Sequence, residues 1–264
     1  MAAIVPTVGA GLRRLVDLAL PNRCVGCRRV IGADGALCPA CFAHLDFITA
    51  PLCGRCGLPL PPVQGGAGAG EELSCGACLA QPPRFAAARA ALVYGGLARD
   101  VVLMLKHADR TDLARPLAEW LRRAGAPLID GADLVAPVPL HPRRLARRRY
   151  NQAGLLAQAL VQQSGLPLAP DLLRRIRATP SQGHLNARQR HQNVRGAFAV
   201  RPRSAARLKG ARVLLVDDVM TTGATLDACA AALLKAGAAA VDALVVARVV
   251  RADPDLEMPG SGNI

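Results

Sequence analysis

Asp217 and Asp218 stand side by side after four apolar residues, in the run VLLVDDVMTTGATL at 213–226. Two adjacent carboxylates are more than a helix cap needs. They suit hydrogen bonds from vicinal hydroxyls, such as the 2′ and 3′ positions of a ribose, and their hard oxygens also suit Mg2+. Val219, Met220, Thr221, Thr222, Gly223, Ala224 and Thr225 follow as a turn that runs into a helix. Backbone N–H groups at such a turn carry partial positive charge and bind phosphate. The hydroxyls of Thr221, Thr222 and Thr225 add donors, and Gly223 lets the backbone come close to a ligand. The aspartates alone would read as solvated acids on an ordinary strand–turn–helix. The whole ordered pattern reads as a grip on a ribose-phosphate.

A second chemistry lies in the cysteines, nine in all, of which eight form C-x-x-C pairs: Cys24/Cys27, Cys38/Cys41, Cys53/Cys56 and Cys75/Cys78. Two thiolates three residues apart can hold one metal from a tight turn, and two such knuckles complete a tetrahedron. Glycine or proline in or beside each knuckle allows the sharp turn. Eight ligands imply two structural Zn2+ ions, because four sulfurs leave no open position for a catalytic water. Their job is to fold a segment too poor in apolar residues to fold alone. Sequential pairing would put Cys24, Cys27, Cys38 and Cys41 on one ion; spacing alone leaves an interleaved arrangement open. Disulfides do not suit a reducing cytoplasm. A redox dithiol needs one such pair at a helix start, not four in succession. Cys229, inside a helical run, reads as a small buried residue.

The formal net charge is +14, and the window 139–210 holds fourteen arginines and one lysine against Asp171 alone, so the whole imbalance sits there. A one-sided field of this kind attracts polyanions, whether phosphates or nucleic acid; a solvated basic surface is the plain alternative. Arg147, Arg148 and Arg149 precede Tyr150, whose ring could stack a base, and these four are the nucleic-acid candidates. With aromatics at 3% of the chain, a platform of several rings is excluded. The N-terminal stretch lacks a basic n-region, and no run approaches about 18 uninterrupted apolar residues. The expected address is the cytoplasm, without a membrane span.

To position these residues the chain needs a sheet whose strands end at the ligand. Strand patterns at 86–94, 133–138, 172–178, 212–216 and 240–249 alternate with helical patterns at 97–107, 111–124, 151–164 and 224–236. Thr111 is placed to cap the second helix, and Gly165 and Gly237 to stop the third and fourth. The stretch 179–195 is polar with little apolar pattern. The alternation predicts an α/β fold, a parallel sheet with crossover helices. Asp217 and Asp218 then fall where the strand leaves the sheet, the place where open sheets bind ligands.

The 213–226 run resembles the phosphoribosyl pyrophosphate (PRPP) signature of the type I phosphoribosyltransferases. The resemblance extends to the ComF family, bacterial proteins linked to competence and DNA uptake. It is carried by the cysteine knuckles, by Leu105-Lys106-His107, by VPLHPRRLARRRYNQA at 138–153, by Thr179, Gln182, Arg188 and the NVRG at 193–196, and by the signature, nearly the whole chain in order. It implies a type I phosphoribosyltransferase-like parallel sheet with flanking helices, preceded by a small zinc-ribbon domain. The layout expected is an amphipathic helix at 1–21, a double zinc ribbon at 22–82, the phosphoribosyltransferase-like domain at 83–251 and a disordered tail at 252–264. It further implies PRPP bound with Mg2+ and a role with incoming single-stranded DNA, with a DNA-uptake helicase as partner. The alternative is an active Mg2+-dependent phosphoribosyltransferase of nucleotide metabolism. By the same resemblance 138–144 corresponds to a pyrophosphate loop and 179–195 to a mobile loop, which makes Lys106, Arg143, Arg144, Arg188 and Arg190 candidate anion ligands. Departing pyrophosphate leaves anionic oxygens that such cations and Mg2+ stabilise. No residue set reads a particular nucleobase, so the acceptor and the catalytic residues stay unassigned.

Overall fold

The computed structural model describes residues 23–32, 37–62, 73–107, 110–179 and 186–250. The expected helix at 1–21, the tail at 252–264 and most of the glycine-rich stretch at 59–70 lie outside the described residues. The strands are β1 (Ala88–Val93), β2 (Leu134–Pro137), β3 (Leu173–Arg175), β4 (Phe198–Val200), β5 (Arg212–Met220) and β6 (Ala240–Arg248). The helices are α1 (Pro39–Phe42), α2 (Gly76–Ala80), α3 (Gly96–His107), α4 (Ala114–Ala124), α5 (Ala126–Asp130), α6 (Pro142–Arg148), α7 (Gln152–Ser164), α8 (Ala187–Val194) and α9 (Ala224–Lys235). β1, β6, β5 and β2 lie side by side in that order, all parallel, and β3 and β4 form a separate antiparallel pair.

Side chains alternate faces along a strand, and in the central strands both alternations are apolar. Val213 and Leu215 of β5 pack with α9 and the β3–β4 pair, whereas Leu214 and Val216 pack with α3, α4 and α7. β6 does the same with Val241, Ala243 and Val245 on one face and Leu244 and Val246 on the other. A continuous apolar run is what a strand covered on both faces requires. Cys229 sits on the α9 side of this core and is fully buried.

Three local expectations change. β5 does not end at Val216. It runs on to Met220, paired with β6 through Asp217↔Val245, Val219↔Ala247 and Met220↔Arg248, while β2 stops at Pro137↔Val216. Val138 still donates to the Val216 carbonyl at 2.9 Å, but Pro139 has no N–H with which to extend the ladder. The two acids therefore lie on a strand that has lost its neighbour on one side. Thr111 caps no α-helix: it opens a 3-10 turn, Thr111–Leu113, and α4 begins at Ala114 with Leu113 in the cap position. The polar stretch 179–195 contains α8, held by a capping box in which Asn186 and Gln189 exchange side-chain-to-amide bonds of 2.9 Å. End bonds rather than an apolar stripe define it, which is why periodicity does not reveal it.

The cysteines cluster in chain order, Cys24, Cys27, Cys38 and Cys41 in one group and Cys53, Cys56, Cys75 and Cys78 in the other, with the sulfurs of each group within 4.8 Å of one another. The pairing is sequential. Sγ···Sγ separations of 3.6 Å for Cys27–Cys38 and Cys56–Cys75 approach the roughly 3.8 Å edge of a tetrahedron of sulfurs about 2.3 Å from Zn2+. The amides of Cys38 and Cys75 donate to Cys24 Sγ and Cys53 Sγ, each at 3.3 Å. Burial resists ionisation of those two thiols, yet the knuckle amides outweigh it, bringing Cys24 down to about 6 and Cys53 to about 7. Burial and the neighbouring sulfurs push Cys41 up to about 12 and Cys78 upward as well. Four sulfurs this close ionise together only around a cation, so the donor sets fit Zn2+.

The ribbon also completes the sheet. Residues 46–48 run antiparallel along β1, with Val93 N–H donating to Asp46 O at 2.9 Å and Ile48 N–H to Ala91 O at 2.9 Å, so this edge of the sheet is covered. Ala88 N–H donates to Arg55 O inside the third knuckle, Cys53/Cys56, at 2.7 Å. Gly57, at φ +66°, lies so close that an added Cβ would stand 2.5 Å from Ala88 O. Gly57→Ala should therefore destabilise the protein by roughly 1–3 kcal/mol in urea melts, whereas Gly32→Ala, with open space around it, should stay within about 0.5 kcal/mol. Metal analysis should find two Zn2+ per chain, and Cys38→Ser should reduce that to one, its own cluster alone being lost.

Candidate functional site

An open cleft of about 280 Å3 lies at the carboxyl end of β5, near the lower end of the range for small-molecule sites. Asp217, Asp218, Val219, Met220 and Thr221 line it from β5 and the turn, and Gly223, Ala224, Thr225 and Leu226 line it from the start of α9. Tyr94, Lys106 and Arg190 close it from other elements. The turn is possible because Gly223 takes φ +79° at the cap position of α9, with Met220 Cε 3.3 Å from where a Cβ would be. A side chain there would be both strained and crowded. The first amides of α9 have no partners within the helix, and Ala224, Thr225 and Leu226 carry them to the cleft wall.

The acids do not behave alike. Asp218 is ion-paired with Lys106 at 3.0 Å, both side chains largely covered. Asp217 Oδ1 accepts the amide of Asp218 at 2.8 Å, and no ion pair reaches it from any described residue. Burial, and then the charge of Asp218, push the Asp217 carboxyl up to about 7, against the pull of that amide, Lys106 and Arg175. A ligand hydroxyl or a cation at this carboxyl would favour its charged form.

Lys106 is brought to this position by the far end of α3, which the segment after α6 holds down. Tyr150 Oη donates to Leu105 O at 2.8 Å, Gln152 Nε2 to Lys106 O at 3.5 Å, and Asn151 Nδ2 to Val138 O at 3.0 Å. The ring of Tyr150 is thus half-buried and tethered by its hydroxyl. Arg190 reaches the cleft from α8, but Arg188 is exposed on the same helix and does not line it. Arg143 is exposed on α6, and Arg144 donates from Nη2 to Thr179 O at 3.0 Å; neither lines the cleft. Arg148 donates to Gln152 Oε1 at 3.3 Å, and Arg149 ends α6 in a left-handed conformation. Thr221 and Thr225 line the cleft. Thr222 does not, and its buried Oγ1 has no hydrogen-bond partner among the described residues.

Two residues near the site went unread in the sequence. Tyr94 follows β1, and the rule that open sheets bind at strand ends would have pointed to it. Arg175 of β3 is 8% exposed, lies over the Phe198 ring at 5.2 Å and donates to Thr179 Oγ1. Burial, then the nearby Arg144, lower its pKa. Nothing in its basic neighbourhood distinguishes it from the surface arginines around it.

Residues 15–80 match the family model for a double zinc ribbon domain, and residues 146–258 match that for a phosphoribosyl transferase domain. The DNA utilization protein YhgH of Salmonella typhi is 34% identical over 243 residues, covering 88% of this chain and 100% of that protein. Competence protein F of Haemophilus influenzae is 31% identical over 236 residues, 86% of this chain and 96% of its own. Competence protein ComFC of Bacillus subtilis is 25% identical over 214 residues, 78% of this chain and 81% of its own. Among solved structures, orotate phosphoribosyltransferase from Aeropyrum pernix superimposes with a TM-score of 0.31 at 19% identity, covering 57% of this chain and 76% of that one. Similarity that runs the full length of such relatives, with a ribbon in front and a phosphoribosyl transferase domain behind, makes this chain a member of the ComF family.

Proposed function

We propose that the cleft binds PRPP or a closely related ribose 5-phosphate together with Mg2+, and that the protein serves the uptake or use of DNA, handling single-stranded DNA on its basic side. The observation that carries the first half is the convergence of Asp217, Asp218, Thr221 and the α9 amides with Lys106 and Arg190 in one cleft. The carboxylates accept the ribose hydroxyls, and their free oxygens are the hard donors Mg2+ prefers. Mg2+ would there neutralise a pyrophosphate group. The amides from Gly223 onward take the 5′-phosphate. Lys106 has two partners within reach, Asp218 and an anionic ligand. The second half draws on what the relatives are called and on the arginines of α6 at 143–149.

One observation favours transfer chemistry as a second reading. Arg190, on the segment whose sequence resembles a mobile loop, lines the cleft, which places a cation where pyrophosphate would depart. Pyrophosphate release from PRPP, assayed against a panel of bases and amines, decides it: turnover with any acceptor makes the protein an enzyme, and none across the panel leaves the binding reading.

Calorimetry with PRPP and Mg2+ tests the cleft directly. Asp217→Asn with Asp218→Asn should weaken binding by about 100-fold or more, since two charge-assisted bonds are lost, with zinc content unchanged. Retained affinity in that folded variant would refute the site. The pH dependence follows from the raised Asp217 carboxyl. Folding disfavours its charged form, so its cost is absent below about pH 4 and complete once the pH has passed about 7. Asp217→Asn alone should melt about 3 °C or more higher than wild type at pH 8 and at the same temperature at pH 4, and wild-type affinity for PRPP should rise between pH 6 and pH 8. For DNA, affinity should fall steeply with salt, and replacing Arg147, Arg148 and Arg149 by glutamine should reduce the log–log slope by about 2. An unchanged slope would remove α6 from the DNA contact.

A further inference from the structure

We infer that Zn2+ in the second cluster and the ligand in the cleft are thermodynamically coupled, with Arg248 as the positioning residue between them; this rests on the cleft being the PRPP site. Arg248 ends β6 and is 6% exposed, buried against the Cys53–Cys56 knuckle, where its Nη1 donates to Cys56 O. Its Nε is buried with no hydrogen-bond partner among the described residues, so the Cys56 carbonyl is a bond this guanidinium can ill lose. The backbone of the same residue is part of the cleft wall's frame. Tyr94 N–H donates to Arg248 O at 2.7 Å, Val249 N–H donates to Met220 O at 2.9 Å, and Arg248 is the sheet partner of Met220. Tyr94 and Met220 both line the cleft. A second guanidinium repeats the connection one strand away: Arg89 Nη1 of β1 donates to Gly54 O at 2.8 Å.

The two-state element is the knuckle. Cys53, Gly54, Arg55 and Cys56 form a tight turn that presents the Gly54, Arg55 and Cys56 carbonyls to the sheet, and a metal site of this kind holds its fold only while loaded. Emptying it strands a buried guanidinium. A charged group without acceptors in a dry place is expensive, and the relief open to it is to leave for solvent, which pulls the ends of β6 and β5 out of register beside Met220. A ligand that needs Met220 and Gly223 in place then binds less tightly. Linkage makes the effect reciprocal: bound ligand must hold the second Zn2+ more firmly. The first cluster packs instead beside α3, with Gly26 close to Leu97, and has no such guanidinium link among the described residues.

The test uses wild-type protein. Zn2+ release to excess pyridylazoresorcinol is followed with and without saturating PRPP and Mg2+, binding being measured by calorimetry in the same buffer. PRPP should slow one of the two release phases by about fivefold or more and leave the other unchanged. Arg248→Gln, or Arg248→Lys should the first fail to fold, should keep two Zn2+ in the purified protein, bind PRPP at least about fivefold more weakly, and abolish the slowing. Both phases unchanged in the presence of bound PRPP would overturn the coupling and leave the cleft assignment standing. Equal slowing of both phases would overturn the role of Arg248. No PRPP binding at all would overturn the cleft assignment and the coupling together.

Discussion

Two carboxylates on consecutive residues, at the end of a strand buried on both faces, repel each other in a place with little water to screen them. The rest of the carboxyl end of the sheet is arranged around that constraint. Lys106 is delivered to Asp218 from the end of α3, and the Asp218 amide is turned onto Asp217. Arg175 adds its field from β3. At the opposite end of the sheet Asp242, fully buried where the paired acids are only partly so, shows what a finished arrangement looks like. Its oxygens take Arg212 Nε at 2.6 Å, Arg212 Nη2 at 3.2 Å and Ala87 N–H at 3.1 Å. Asp217 is left short of that number of partners at the wall of a cleft, where a ligand can supply them. A buried acid that is not satisfied internally is what a binding site looks like before its ligand arrives.

Most of the framework was legible because it rests on local chemistry. The paired acids and the threonine–glycine turn, the four knuckles, and the apolar runs at 213–216 and 240–249 each carry their physical reason within a few residues. The pairing of the knuckles was not legible, since it depends on how 42–52 lays one group on a different part of the domain from the other. The extension of β5 past Val216 was hidden for a similar reason: whether Asp217 is in the sheet is decided by β6, a partner reached only through α9. In α8 the sequence did hold the signal, Asn186 three residues before Gln189, but a polar helix offers no periodicity to draw the eye to its cap.

The basic window shows where composition stops being informative. Fourteen arginines between 139 and 210 look alike on paper. In the fold Arg190 faces the cleft, Arg144 and Arg175 converge on Thr179, Arg177 holds the Asn193 and Arg195 carbonyls at 2.9 and 2.7 Å, and Arg143 and Arg188 are exposed. A guanidinium has five donors, and burial turns those donors into demands for acceptors. Bonds to neutral carbonyls leave each charge in place, but they restrict which guanidinium groups can turn their donors toward a polyanion.

The same reasoning explains why a metal ribbon precedes this sheet. β1 is an edge strand, and an edge of unpaired amides invites wrong partners. Residues 46–48 fill that edge, and the knuckle at 53–57 packs against it so closely that Gly57 has no room for a methyl group. A segment rich in glycine and proline could not hold such a position by hydrophobic burial, because it has too little apolar surface to offset the entropy of ordering it. Four sulfur–metal bonds can. The ion thus fixes carbonyls in space, the carbonyls hold Arg89 and Arg248, and through their strands the metal's binding energy reaches residues that frame the cleft.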